Sequence, residues 1–341
     1  MAPGARPVAL LTLGEAPGAG CPAAGRALGG SVRRAAGDGP GRIRTARGGG
    51  HQRRRAAGLR ESMGIYTQIL YDVAEGIGTI TTNRAHARNA QSRVLIEEMD
   101  DAFGRAARDP AVRVIVLRGA GDHFSGGHDL GSPEELADRQ ARPGAEGLRG
   151  KYTRSWDLYV EATLRWRNVP KPTIAAVQGY CIFGGWMIAS ACDVIVAADD
   201  ALFLPTNFQY FSVPWDLHPR KSKAILFESR LIDAKEAEQL GFVSWVVPRR
   251  DLEAEVMEYA TRVAENDPFQ LRMIKLAINQ VQDTQGFTSH IYSAHALHML
   301  SSTGEADPDY ALAKPGGKRR PMVQRAFENY ERRKARARDE G

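Results

Sequence analysis

Two pairs of glycines could do chemistry in this sequence. Gly126-Gly127 follows the mostly apolar segment 112–117, and Gly184-Gly185 follows the apolar run 173–177. Both runs have the length and composition of buried strands. If these strands are neighbours in one sheet, the two turns meet at one edge and their backbone amides converge on one point. Converging N–H groups stabilise the negative charge that develops on an acyl oxygen, so the pattern predicts an oxyanion hole.

The second glycine pair precedes a short apolar run, 186–191, which predicts a buried helix, and a further strand over 193–198. Gly184 and Gly185 would then open a helix. Its first N–H groups have no intrahelical acceptor, and the helix dipole favours an anion there. The alternative is that the glycines only allow close packing between helix and strand. This segment alone leaves both readings open.

Several other kinds of site are not indicated. Neither turn has the G-x-G-x-x-G pattern and acidic partner of a dinucleotide site, and the sequence has no Walker loop, H-E-x-x-H or G-x-S-x-G motif. The three cysteines, Cys21, Cys181 and Cys192, have neither metal-type nor disulfide-framework spacing. We therefore predict no metal and interpret Cys181 and Cys192 as buried thiols in a reducing compartment.

The elements that must position the turns alternate between strand and helix. The runs 65–72 and 76–83 predict a β-hairpin. Ser92 is a candidate N-cap for a helix over 93–108, and Asp233 is a candidate N-cap for a helix that ends at Gly241. Helices are also predicted over 252–266, 268–282, 287–301 and 321–337. The pattern predicts an α/β layered domain with a helical C-terminal third.

The chain has 341 residues, 43% of them hydrophobic and 25% charged, which is ordinary for a soluble globular protein. It has no run of 18 apolar residues, so no transmembrane helix is expected. The net charge of +6 comes from residues 1–62, where eleven Arg and three acidic residues give +8 and leave −2 for the rest. The basic character therefore belongs to the N-terminal segment.

Residues 1–62 are rich in Gly, Ala, Arg and Pro without helical or strand periodicity, which predicts a disordered extension. We favour an upstream sequence ahead of a true start at Met63. A transit peptide is the second interpretation and a nucleic-acid-binding arm the third. We accordingly predict a cytoplasmic protein, or a mitochondrial-matrix one if the segment is a transit peptide, and expect neither nucleic-acid nor membrane binding.

Four motifs, in order between about Gly64 and Leu300, resemble the crotonase (enoyl-CoA hydratase/isomerase) superfamily. They are TITTNRAHARNAQS (79–92), HFSGGHDL (123–130), KPTIAAVQGYCIFGGWMIASACDVIVAADDALF (171–203) and LIDAKEAEQLGFVSWVVP (231–248). The resemblance implies a spiral of ββα turns over 63–260, a C-terminal helical region over 261–341, and a homotrimer or dimer of trimers. It also implies an acyl-CoA substrate and no cofactor beyond the CoA of that substrate.

The resemblance also implies the site. The thioester oxygen would lie between the amides of Gly126 and Gly184, with CoA contacts from Gly126, Gly127, His128 and Asp129. Hydratases of the family use two glutamates. Met187 occupies the place of the first, and the nearest match to the second is Thr206 or Asn207. Neither methionine nor asparagine can transfer a proton, so ordinary two-glutamate hydration is not supported.

Another side chain would then move protons, and the loop 208–221 supplies candidates. Asp216 falls near the place where some relatives carry an alternative carboxylate, although it could equally cap the helix that starts near Pro219. His218 could act as acid and base, or be a surface histidine. Tyr210 could donate to a developing anion, or pack among the neighbouring aromatic residues.

These observations predict an acyl-CoA enzyme that stabilises a thioester enolate, with hydration of an unsaturated acyl-CoA as the first reaction. The alternative is an isomerase, C–C hydrolase or dehalogenase-like enzyme that uses Asp216. Two hypotheses from other classes are a non-catalytic acyl-CoA-binding homologue and an RNA-binding protein that uses residues 1–62.

Overall fold

The computed structural model describes residues 66–206, 208–303 and 321–339. These residues form a mixed α/β fold with a helical C-terminal region, as predicted. The described strands are β1 (Ile69–Ala74), β2 (Ile77–Thr82), β3 (Val114–Gly119), β4 (Thr173–Val177), β5 (Tyr180–Ile182), β6 (Val194–Ala198), β7 (Leu202–Leu204), β8 (Ile232–Asp233) and β9 (Trp245–Val247).

The described helices surround these strands and continue beyond them. They are α1 (Arg93–Arg108), α2 (Pro133–Ala141), α3 (Gly147–Ser155), α4 (Ala162–Arg167), α5 (Gly184–Ser190), α6 (Val213–Asp216), α7 (Pro219–Glu228), α8 (Ala234–Gln239), α9 (Leu252–Ala264), α10 (Pro268–Thr284), α11 (Phe287–Thr303) and α12 (Pro321–Asp339). Short 3-10 turns occupy Ala85–Ala87 and Arg249–Asp251, and a π-helical segment, Trp156–Glu161, joins α3 to α4. No helix among the described residues is long and apolar enough to cross a membrane.

The main sheet has the strand order β1-β2-β3-β4-β6-β9. β1 and β2 form the predicted antiparallel hairpin, and the remaining pairs are parallel. Leu117 of β3 pairs with Ala175 of β4, so the expectation that these two strands are neighbours is confirmed. The loops after β3 and β4 consequently leave the sheet at the same edge.

Side-chain alternation along the strands places a core on each face of the main sheet. Val114 and Val116 of β3 pack with the buried residues of α9, whereas Ile115 and Leu117 belong to the larger core that contains α1 and α5. Both faces of the sheet are therefore covered at its central parallel strands, which explains why β4 and β6 read as apolar runs.

A second sheet, of order β5-β7-β8, lies beyond the edge where the glycine turns emerge. Ser125 joins the two regions, since its N–H donates to the Tyr180 carbonyl at 2.8 Å and its carbonyl accepts from the Ile182 N–H at 3.0 Å. β5 was not predicted. This short strand holds the turn after β3 against the start of α5.

The predicted helix caps are confirmed. Ser92 accepts from the Leu95 N–H at 3.1 Å, and Asp233 accepts from the Glu236 N–H at 2.8 Å. The domain boundary predicted at residue 260 falls inside α9, so this helix belongs to the sheet core as well as to the helical region. Residues 1–62 lie outside the described part of the chain.

Candidate active site

The two glycine turns are in contact. Gly127 has a φ of +94°, and a Cβ placed on it would lie 2.8 Å from the Ile182 carbonyl oxygen and 3.5 Å from the Gly184 nitrogen. A Cβ on Gly185 would lie 2.8 Å from the Ser125 carbonyl oxygen. Only glycine allows this approach, because any larger residue would separate the backbones. The convergence inferred from the spacing of the turns is therefore present.

Gly184 is the first residue of α5, so no carbonyl within the helix can receive its N–H. Phe183, just before it, has a φ of +51° and a ψ of −103°, a conformation that costs a non-glycine residue energy. Its N–H donates to the Leu204 carbonyl at 2.8 Å, and its carbonyl accepts from the Met187 N–H at 3.2 Å. These two hydrogen bonds hold Phe183 in its strained conformation and fix the orientation of the first turn of α5.

The amides of the first turn are arranged differently from the prediction. The N–H of Gly126 donates to the Arg88 carbonyl at 2.8 Å, and the N–H of Gly127 lies 3.2 Å from Ser125 Oγ. The Gly126 amide thus holds the turn in place instead of facing a ligand. Pairing the Gly126 and Gly184 amides around one oxygen is the part of the prediction that this geometry does not support.

The imidazole of His128 lies over Gly184. A Cβ on Gly184 would lie 2.8 Å from His128 Nδ1 and would also collide with Gln91 Oε1. His128 Nδ1 is 3.0 Å from Gln91 Oε1, and Nε2 is 2.9 Å from Gln209 Oε1. The ring also packs against Tyr159, with 4.1 Å between ring centroids. Sequence reasoning assigned His128 only as a CoA contact and missed these three neighbours.

The side chain of Asp129 stabilises the loop to which it belongs. Its carboxylate forms a buried ion pair with Arg84 at 2.8 Å and accepts from the Ser132 N–H and Oγ and from the Gly131 N–H. Burial opposes the charged form, but these hydrogen bonds and the Arg84 guanidinium outweigh it and lower the pKa of Asp129. The side chain therefore stays ionised and structural.

A cavity of about 370 Å³ opens beside His128, and we call it the His128 cavity. Leu158 and Tyr159 of the π-helical segment line one side, and Thr206 and Gln209 of the loop after β7 line another. A regular α-helix would point the side chains of Leu158 and Tyr159 in other directions. The sequence pattern therefore did not predict that these two residues line the cavity. Asn207 lies outside the described residues.

Cationic side chains also line the His128 cavity. Arg93 and Arg139 are paired with Asp138 and Glu135, whereas Lys151 and Arg154 are exposed. Met187, which the resemblance aligns with the first glutamate of the hydratases, is fully buried in the core and does not line this cavity. The His128 cavity is therefore lined by an imidazole, the carboxamide of Gln209, aromatic rings and basic side chains.

Asp216 lies elsewhere, beside a second cavity of about 560 Å³ that we call the Asp216 cavity. Its carboxylate accepts from Trp186 Nε1 at 2.8 Å and from Ser212 Oγ at 2.7 Å. Burial raises the pKa of Asp216 to about 7, although these two hydrogen bonds oppose the shift. Ser190, at the C-terminal end of α5, lines the same cavity. The structure does not bring Asp216 to Gly184, so a catalytic role for it stays a prediction that the geometry does not favour.

The two remaining candidates are also outside the His128 cavity. His218 is exposed and caps α7, since its Nδ1 accepts from the Arg220 N–H at 3.3 Å. Tyr210 is fully buried, and its hydroxyl has no partner among the described residues. It packs against Phe287, with 6.0 Å between ring centroids, which is the aromatic-packing alternative.

Residues 72–307 match the family model of enoyl-CoA hydratase/isomerase. The chain belongs to this enzyme family. Over 244 residues it is 37% identical to EchA13 of Mycobacterium tuberculosis. The name of that protein describes it as an enoyl-CoA hydratase whose activity is not proven. That match covers 66% of this chain and 77% of the relative.

Solved structures agree. A Mycobacterium smegmatis protein is 44% identical, with a TM-score of 0.63, and the match covers 69% of this chain and 94% of that protein. Its name also describes it as an enoyl-CoA hydratase whose activity is not proven. An enoyl-CoA hydratase/isomerase from Xanthobacter autotrophicus Py2 is 31% identical, with a TM-score of 0.63, and the match covers 72% of this chain and 90% of that protein. The α/β fold is thus the crotonase fold of these relatives.

Proposed function

We propose that this protein binds an acyl-CoA thioester in the His128 cavity and stabilises its enolate at the N-terminus of α5. The observation that carries the proposal is the contact between the two glycine turns beside this cavity. The Gly184 N–H supplies one donor to the thioester oxygen. Because the Gly126 N–H donates to the Arg88 carbonyl and the Gly127 N–H donates to Ser125 Oγ, a second donor would have to come from the next amide of this turn, that of His128.

The substrate class follows from the family and from the charges of the cavity. Lys151 and Arg154 are exposed cations at the cavity wall and suit the phosphates of CoA. The sequence-based CoA contacts, Gly126 to Asp129, belong to the turn that borders the same cavity. CoA would enter as part of the substrate, and nothing in the proposed chemistry calls for another cofactor.

Hydration of an unsaturated acyl-CoA is the first reaction we propose, and double-bond isomerisation is the second. The test is to incubate the intact protein with a panel of 2-enoyl-CoA and 3-enoyl-CoA thioesters and identify the products by chromatographic retention and mass. Hydration adds the mass of one water, whereas isomerisation leaves the mass unchanged. Calorimetric binding of CoA esters without turnover of any panel member would instead support a non-catalytic homologue.

A homotrimer or dimer of trimers also stays a proposal. Large apolar side chains of α10 are exposed in the single chain: Phe269, Ile274, Leu276, Ile278 and Val281. Several large apolar side chains left exposed on one helix suit burial against another copy. Light scattering on the protein used for the substrate panel would measure its assembly, and a monomer would contradict the proposal.

A further inference from the structure

We propose that the imidazole of His128 carries the proton at this site, in place of the family's glutamates. The inference rests on the proposed function, since it takes the thioester oxygen to bind at the Gly184 N–H. The ring lies directly over Gly184, where a Cβ would come within 2.8 Å of Nδ1. The ring is therefore a direct neighbour of the proposed oxygen site, with Nδ1 on the Gly184 side and Nε2 towards Gln209.

The other ionisable groups near Gly184 are poorly suited to the task. Asp129 is ionised and tied to Arg84, and Glu135 pairs with Arg139 and accepts from the Arg93 N–H. Burial raises the pKa of Tyr159 to about 12, so its hydroxyl keeps its proton at neutral pH. His298, on α11, is the other imidazole that lines the cavity, and the test below includes it.

A buried chain of hydrogen bonds fixes the tautomer of His128. Ser125 Oγ donates to the Asn89 carbonyl at 2.9 Å, so it can accept from Gln91 Nε2 at 3.3 Å. Gln91 then presents its Oε1 to His128 Nδ1 at 3.0 Å. Nδ1 must carry a proton to donate to that oxygen. Nε2 is consequently the nitrogen that takes up and releases the catalytic proton.

Gln209 can form a hydrogen bond with Nε2 whether or not that nitrogen carries a proton. Its Oε1 lies 2.9 Å from Nε2, which suits the protonated ring. A rotated carboxamide presents its NH₂ group to the neutral ring instead. Gln209 belongs to the loop between β7 and α6, so its side chain can turn aside when the substrate or water reaches Nε2.

In hydration, the proton then moves in a closed cycle. Nε2 takes a proton from water while the water oxygen bonds to the β-carbon, and the π electrons move to the thioester oxygen held by the Gly184 N–H. The enolate collapses as Nε2–H returns the proton to the α-carbon, and the imidazole is neutral again. The net change is the addition of one water. Because a single ring serves both carbons, H and OH add to the same face.

The test compares His128→Gln and His128→Ala with the wild type on the best thioester of the panel. We expect kcat to fall about 10²–10⁴-fold, the usual contribution of general acid–base catalysis, while KM changes less than about threefold. Added imidazole should restore part of the activity of His128→Ala, which a purely structural role would not allow. His86→Gln is the matched control, because His86 is exposed and pairs with the exposed Glu134 outside the cavity. Its kcat should equal that of the wild type.

A second variant keeps the proposal testable if both His128 variants melt early. Gln91→Met retains volume but removes the acceptor of Nδ1–H, and we expect kcat to fall about 10–100-fold, as when an orienting partner of a metal-bound histidine is lost. The proposal is overturned if His128→Gln keeps its kcat, if it loses CoA binding together with kcat, or if His298→Gln alone abolishes turnover. If the wild type turns over no thioester, the proposed function itself fails. An active wild type with an equally active His128→Gln rejects only this inference.

Discussion

The two ends of α5 border two cavities with opposite chemistry. At the N-terminal end, the Gly184 N–H has no intrahelical acceptor, and the imidazole of His128 lies above it between Gln91 and Gln209. At the C-terminal end, Ser190 and Asp216 line the other cavity, where the carboxylate meets only the neutral donors of Trp186 and Ser212. The seven residues of α5 span about 10 Å at 1.5 Å per residue, so the two cavities are close but separate.

This difference follows from where a short helix leaves its backbone groups unpaired. Free N–H groups stabilise an anion at the N-terminus, whereas free carbonyls at the C-terminus give a carboxylate no such help. Burial then raises the pKa of Asp216 to about 7. A catalytic carboxylate inferred from its place in the chain therefore lies at the end of α5 that does not favour an enolate.

Among the variants that compare the two ends of α5, the largest effect is expected from Gly184→Ala, which tests the N-terminal end. The new Cβ would collide with Gln91 Oε1 and lie 2.8 Å from His128 Nδ1, so the amide and the imidazole cannot keep their places. We expect kcat to fall at least about 10²–10³-fold, the cost of losing one oxyanion donor. Steady-state kinetics on the best thioester would measure it.

Gly104→Ala is the control for that variant. Gly104 lies within α1, where a Cβ meets only the flexible side chain of Arg108 at 3.3 Å. Activity should be unchanged, and replacing a helical glycine should raise stability by about 0.5–1 kcal/mol. If Gly184→Ala is as active as Gly104→Ala, the N-terminus of α5 does not bind the reacting oxygen.

Asp216→Asn tests the C-terminal end, with an effect on stability instead of turnover. Since the folded pKa is about 7 against a usual 3.8, folded Asp216 binds a proton that the unfolded chain has released between about pH 4 and pH 7. The free energy of unfolding should therefore fall as the pH rises through this window, by on the order of 3 kcal/mol. Asparagine keeps both hydrogen bonds without a charge, so the variant should lose this slope and gain stability above pH 7.

Urea unfolding at pH 4 and pH 8 would measure the slope, with the exposed Asp72→Asn as the matched carboxylate control. We expect kcat of Asp216→Asn within about threefold of the wild type, since our proposal assigns the general acid–base step to His128. A loss of turnover comparable with that of His128→Gln would reverse the comparison and restore the catalytic role that the sequence suggested for Asp216.

The sequence predicted those parts of the molecule that local patterns control. The alternation of strands and helices, the caps Ser92 and Asp233, and the meeting of two glycine turns follow from apolar runs and from turn residues beside them. The contact of His128 with Gln209, 81 residues away, has no local signature. The capture of the Gly126 N–H by the Arg88 carbonyl also depends on how two distant loops meet. One signal was available for Gln91, which directly precedes the cap Ser92 in a motif already identified.

The smallest effect is expected from Tyr210→Phe, which asks whether the aromatic residues packed beside the Asp216 cavity take part at all. The Tyr210 hydroxyl is fully buried without a partner among the described residues, so the folded protein bears the cost of desolvating it. Removing it keeps the ring packed on Phe287 and should leave stability equal or raise it by up to about 1 kcal/mol, with kcat unchanged. Thermal melting and steady-state kinetics check both expectations. A lower kcat at unchanged stability would mean that this hydroxyl reaches the substrate, and the active site would then extend from the N-terminus of α5 towards the Asp216 cavity.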